Sequence, residues 1–168
     1  MELIRINLQV LFLLMVIILL NSCKKDDNST KSENSITIDG RQFQVTSASI
    51  MGVSTGDFGH AAVILNKING TRYETIAVDF DYEVGKSVDG DYAYPQSGDM
   101  ELINAPLSIF TIVDESSIIS TLHLETGTMK ITKNAEAHYT VIIELMMTDG
   151  TVIKGTYSGP FTEGYTNM

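Results

Sequence analysis

Beyond residue 35 the chain alternates apolar and polar residues with a period of two, the spacing of half-buried strands. The clearest run is 73–82. There Ile76, Val78, Phe80 and Tyr82 share one face and Ala77, Asp79 and Asp81 share the other, so the pattern sends the acids to water. Similar runs at 36–38, 43–50, 61–68, 107–113, 118–124, 129–132, 138–147 and 151–157 are rich in β-branched and aromatic residues. Turn signals separate them. Asp39-Gly40 and Asn69-Gly70 are hairpin signals, Asp114-Glu115-Ser116-Ser117 divides the next pair, Lys133-Asn134-Ala135-Glu136 the one after, and Asp149-Gly150 the last. Tyr92 and Tyr94 follow a glycine-rich connection and stop at Pro95. Helical spacing with caps is missing, and 100–105 is the one stretch that admits a helical turn. The pattern predicts an all-β fold, an antiparallel meander of about 8–10 strands closing into a barrel or a β-sandwich.

The last hairpin admits a register. Tyr139, Val141, Ile143, Leu145 and Met147 face one way on their strand, and Ile153 and Tyr157 do so on the next. A two-residue loop at Asp149-Gly150 would set Lys154 opposite Leu145, on the apolar side. A three-residue loop, Thr148-Asp149-Gly150, pairs Met147 with Thr151, Leu145 with Ile153 and Val141 with Tyr157, which keeps the apolar faces together. The predicted turn is therefore a type I turn closed by a left-handed Gly150, a glycine bulge. One hairpin earlier the expected partners are Ile131 with Tyr139 and Met129 with Val141.

A second hydropathy signal lies at the start. Met1-Glu2-Leu3-Ile4-Arg5 holds one positive charge, a near-unbroken apolar run covers 10–20, and Cys23, the one cysteine of the chain, follows. This is the layout of a secretory signal peptide. The run is shorter than the roughly 18–20 residues a spanning helix prefers, and a lone free thiol is awkward in an exported chain. Leu20, Ser22 and Cys23 resemble a bacterial lipobox, with Asn21 a less usual middle residue. The resemblance implies a diacylglycerol thioether on Cys23, cleavage before it and acylation of the new amine. The chain is then anchored to a membrane rather than spanning it. Residues 24–34 are polar and charged and cannot offset their chain entropy, which makes them a tether. The expected organisation is a lipoprotein signal peptide at 1–22, a lipidated flexible tether at 23–34 and a single all-β domain at 35–168.

Two further resemblances narrow the location. Lys24-Lys25-Asp26-Asp27 resembles the export signal of Bacteroidota surface lipoproteins, which implies the outer membrane with the domain facing the exterior. As an ordinary solvated linker it would leave the domain facing the periplasm. The run 127–133, then Tyr139-Thr140-Val141, Asp149-Gly150 and 154–161, resembles the closing strands of small Bacteroidota surface lipoproteins. That likeness covers the final third and the anchor and rests mostly on turn chemistry. It implies an all-β, lipocalin-like domain and offers no activity to carry over.

Composition removes several functions. With 21 Asp and Glu against 11 Lys and Arg, the formal net charge is -10. An acid surplus opposes nucleic acid and anionic head groups as partners. His60, His123 and His138 are isolated in the sequence, and Gly52-Val53-Ser54-Thr55-Gly56, although spelled Gly-x-Ser-x-Gly, lies between strands with no helix after it, so it makes no nucleophile elbow, and it lacks the lysine of a phosphate loop. Asp79, Asp81, Glu83, Asp89, Asp91, Asp99 and Glu101 admit a calcium site or a carboxylate pair. Acids on a wet face and aspartates that build turns explain them as well. The sequence therefore predicts no catalytic residues, no metal site, no cofactor and no enzyme. Tyr82, Tyr92 and Tyr94 gather near the 85–98 connection and are the candidate ligand-binding residues, by stacking on a sugar face; the competing role is packing at a barrel end. The expected function is a surface binding module for a small ligand, a glycan or a protein. The alternative is a structural or accessory envelope lipoprotein with no small ligand. An open apolar cavity favours the first and a filled interior the second.

Overall fold

The computed structural model describes residues 33–55 and 58–167. Cys23, the leader and the tether up to residue 32 lie outside these residues. The described chain is all-β. Its thirteen strands are β1 (Glu33–Asn34), β2 (Thr37–Ile38), β3 (Arg41–Gln42), β4 (Ser47–Thr55), β5 (Phe58–Asn69), β6 (Arg72–Glu83), β7 (Gly90–Tyr94), β8 (Glu101–Leu102), β9 (Ile109–Asp114), β10 (Ser117–Ala135), β11 (His138–Met147), β12 (Val152–Pro160) and β13 (Thr162–Asn167). The stretch 100–105, where the sequence admitted a helical turn, instead holds β8 and a bridge from Ile103 to Phe80, and a 3-10 turn follows at Ala105–Leu107.

Turn chemistry sets the hairpins. Ile38 pairs with Arg41 around Asp39 and Gly40, both at positive φ (48° and 79°), which matches the twist of the flanking strands. Asn69 pairs with Arg72, so the second tight turn is Gly70-Thr71, one residue later than expected, with Gly70 at φ 62°. Glu115 and Ser116 turn the β9–β10 hairpin with φ of 47° and 68°, without a glycine. Gly150 is at φ 87°; Leu145 pairs with Ile153 and Val141 with Tyr157, and Lys154 lies opposite Glu144. The predicted three-residue loop is thus present. The preceding hairpin differs, since Ile131 pairs with Val141 and Met129 with Ile143. The ladder there runs on to Ala135 opposite His138, with an irregularity between Lys133 and Ala135, so the loop is shorter than the sequence suggested.

The strands form one mixed sheet in the order β13-β4-β5-β6-β9-β10-β11-β12-β2-β3, with β1 on β12 and β7 and β8 beside β10. Two pairings are parallel, β13 on β4 and β8 on β7, where an antiparallel meander was expected. No ladder joins β13 to β3, so the sheet is open rather than closed into a barrel. The excess over the expected 8–10 strands comes from short segments such as β1, β2, β3 and β8 and from β13, which the sequence reading missed. Strand β10, 19 residues long, pairs with β9 through its first part and with β7 through its last. The sheet folds over one continuous core in which Phe43, Phe80, Tyr92 and Tyr139 are fully buried. Phe80 of β6 meets Tyr92 of β7 with ring centroids 4.5 Å apart. Phe161, between β12 and β13, packs edge-on against Tyr139 and Tyr157 at 5.4 and 5.5 Å. Each large side chain buried in this way contributes about 1.5–3 kcal/mol.

Candidate functional site

Alternation on β11 turns Tyr139, Val141, Ile143, Leu145 and Met147 inward and leaves Ile142, Glu144 and Met146 on the outer face. Met146 pairs with Val152 across to β12, and both remain exposed. The end of β7 and the loop after it rise beside this face and enclose a solvent-open cleft of ≈ 460 Å³. Tyr94, Pro95, Met100, Met146 and Val152 give it an apolar lining, and Glu144 is its charged member. The wall is fixed by hydrogen bonds. Thr126 Oγ1 donates to the Tyr94 carbonyl at 2.9 Å, and Gln96 Nε2 donates to the Met100 carbonyl at 3.1 Å. Gly127 is needed in the floor, because a Cβ there would lie 2.7 Å from the Glu144 carbonyl oxygen. A more polar hollow of ≈ 520 Å³ shares Thr128 and Glu144 with the cleft and adds Lys154.

The three candidate tyrosines part company. Tyr92 is buried, its hydroxyl donates to the Val88 carbonyl at 2.8 Å, and burial raises its ionisation well above the usual range. Tyr82 is buried beside Tyr165, 6.2 Å between ring centres, and its ring occupies the space above Gly59. Tyr94 alone of the three borders the cleft. Tyr92 is thus a core residue, Tyr94 borders the cleft, and Tyr82, largely buried, also lines a separate open hollow of ≈ 390 Å³ with Asp81, Glu83 and Glu101. Cys23 lies outside the described residues.

The sequence reading missed a polar cluster on the outer face of β5 and β6. His60 and Asp81 are direct cross-strand partners, with His60 Nδ1 at 2.7 Å from Asp81 Oδ1. Asn104 Nδ2 donates to Asp81 Oδ1 at 3.0 Å and lies 3.1 Å from His60 Nδ1. Asp79 was expected to face water. Instead residues 104–108 cross over it: the Asn104 amide donates to the Asp79 carbonyl at 2.9 Å, and the Asp79 amide donates to Ser108 Oγ at 3.0 Å. Asp79 Oδ1 is buried, 3.9 Å from His60 Nδ1, with no hydrogen-bond partner among the described residues. Burial pushes its carboxyl up, against the pull of Asn104 and His60. The Ser108 hydroxyl beside the cluster is engaged, donating to the Asn104 carbonyl at 2.8 Å. The signal available in sequence was the parity of His60 and Asp81 across the β5–β6 hairpin, usable once its turn was placed.

The remaining acids are dispersed. Glu83 pairs with Lys86, Asp91 with Lys130, and Asp89 accepts from Ser87 and from the Lys133 amide. Among the described residues no group of three or more His, Cys, Asp or Glu is arranged to hold a metal ion.

Fold and site together define an all-β domain that carries an apolar cleft on an outer sheet face. Compared with known proteins, the chain matches no family model, no curated protein and no solved structure.

Proposed function

We propose that this chain is an outer-membrane lipoprotein, held by acyl chains on Cys23 with its domain toward the cell exterior, and that the domain is a binding module. The cleft beside Tyr94 carries the reading. It is of ligand size, mostly apolar, and holds a few polar groups at one side. Tyr94, Met146 and Val152 suit a ring or a short apolar body, and Glu144 with Thr128 suits hydroxyl or amine donors. A small ligand or a glycan fits this lining better than a flat protein surface does. The lipocalin-like, barrel-or-sandwich shape belongs to this proposal as a strongly curled sheet, with the ligand on its outer face rather than inside it.

The packed interior favours a second reading, an accessory envelope lipoprotein without a small ligand. A screen of the full chain in detergent against a glycan and lipid-metabolite panel separates the two. Binding that is lost in Tyr94→Ala and Met146→Glu supports the module; no ligand, or ligands indifferent to both substitutions, supports the accessory role. Anchoring is tested apart from binding. Cys23→Ala is expected to move the protein from the membrane fraction to the soluble one, and protease treatment of intact cells is expected to remove the domain. A membrane-bound Cys23→Ala protein overturns the anchor.

A further inference from the structure

Cations on the described domain mostly take one acid each: Lys86 has Glu83, Lys130 has Asp91 and Lys133 has Glu163. Glu74 departs from this. Its side chain is 6% exposed, and it meets Arg41 Nη2 at 2.9 Å, Lys67 Nζ at 3.4 Å and Arg72 Nε at 3.4 Å. Burial raises the Glu74 carboxyl, yet Arg41 and Lys67 outweigh it and hold the group below its ordinary value. Three cations around one carboxylate leave two positive charges uncompensated inside the cluster. On the neighbouring β9–β10 turn, Asp114 accepts from Thr71 at 3.0 Å.

The location follows from strand parity. Leu65 and Ile76 pair across β5 and β6 and are buried. One step nearer the hairpin tip on the same face, Lys67 pairs with Glu74, and Arg72 follows at the tip. Arg41 reaches this point from β3, an end strand of the sheet. The cluster thus caps one end of the apolar interior. Each guanidinium touches Glu74 through a single nitrogen, and the side chains of Arg41 and Arg72 are 50% and 43% exposed, which leaves planar donor pairs at the surface. Paired donors on a planar fork match the oxygens of an oxyanion.

We propose that Arg41, Lys67 and Arg72, gathered by Glu74, bind an oxyanion group: a phosphate, a sulfate or a carboxylate. Glu74 sets the spacing of the cations, and the two surplus charges hold the ligand. The site is separate from the cleft beside Tyr94 and does not depend on it. The acid surplus of the whole chain opposes long-range attraction, so binding rests on contact geometry, which chloride does not supply.

Thermal unfolding and amide NMR shifts of the full chain in detergent, at constant ionic strength, test the site. The probes are sodium phosphate, sodium sulfate, glycerol 3-phosphate as a head-group analogue and sodium glucuronate as an acidic sugar, with sodium chloride as the control. At least one oxyanion is expected to raise Tm saturably, with shifts at Arg41, Lys67 and Arg72. The preferred probe tells a lipid head group, an acidic sugar and a free anion apart. Arg41→Gln and Arg72→Gln are each expected to weaken binding about tenfold or more, whereas Lys130→Gln leaves it unchanged. If a Gln variant unfolds, Arg41→Lys keeps the charge and loses the fork, and weaker binding is again expected. A Tm that follows ionic strength alone, shifts centred elsewhere, or variants that bind like the parent overturn the proposal.

Discussion

Glu74 and Asp79 lie on one strand, on opposite faces, and their surroundings move them in opposite directions. Glu74 ionises below its ordinary value, so its stabilisation is full above the ordinary glutamate range and is lost as pH falls through the lowered folded-state value. Glu74→Gln is expected to cost about 1–3 kcal/mol at pH 7 by urea unfolding, with the gap to the parent closing below pH of about 4. Asp79 ionises above its ordinary value, so its charged form weakens the fold at neutral pH, and acid relieves the penalty as pH falls through the raised folded value. Asp79→Asn is expected to add on the order of 1 kcal/mol at pH 7 and progressively less toward acid. A variant no more stable than the parent at pH 7 would count against the buried orphan oxygen. The sequence carried the phase of both residues: Glu74 is in step with Ile76, and Asp79 is out of step. It did not carry what covers them. Arg41 is 33 positions from Glu74, and residues 104–108 cross Asp79 from a connection that no strand pattern locates.

At the scale of elements, legibility followed constraint. The β11–β12 register was readable because an apolar face and a left-handed glycine both had to fit. The β10–β11 register was off by two because nothing in Lys133-Asn134-Ala135-Glu136 marks where the ladder stops. Strand β13 escaped because its pairing is parallel and its sequence, Thr162-Glu163-Gly164-Tyr165-Thr166-Asn167, holds a single large apolar residue. The tyrosine cluster was legible in part: Tyr82 is in step with Phe80 on the apolar face, whereas Tyr92 and Tyr94 share one parity that does not tell which of them is buried. Gly155 offers a sharper test of an element. It sits at φ 136° on β12, and a Cβ there would fall 2.4 Å from the Ser35 carbonyl oxygen. Gly155→Ala is expected to lift β1 and β2 off β12 at a cost of about 1–3 kcal/mol. Faster hydrogen exchange at Ser35 and at Lys154 to Thr156, with β4–β6 unaffected, is the signature.

For the molecule as a whole, an open sheet has ends to protect. Strand β4 is covered by β13, and the opposite end is closed off by the short β3. Removing residues 162–168 is expected to bare the outer edge of β4 and to produce concentration-dependent association in light scattering. A truncated chain that stays monomeric would show that the outer edge of β4 needs no cover from β13.

The pairing of the first described strands with β12 also has a consequence in time. The Ser35 hydroxyl and the Thr156 amide that bonds to it are separated by 121 positions. At about 5–20 residues per second, a ribosome takes on the order of 6–24 s to supply the second partner after the first. During that interval β1 and β2 have no place to dock, and the domain stays unfinished until its tail is made. A chain with that schedule stays pliable through most of its synthesis and hardens only after β12 arrives.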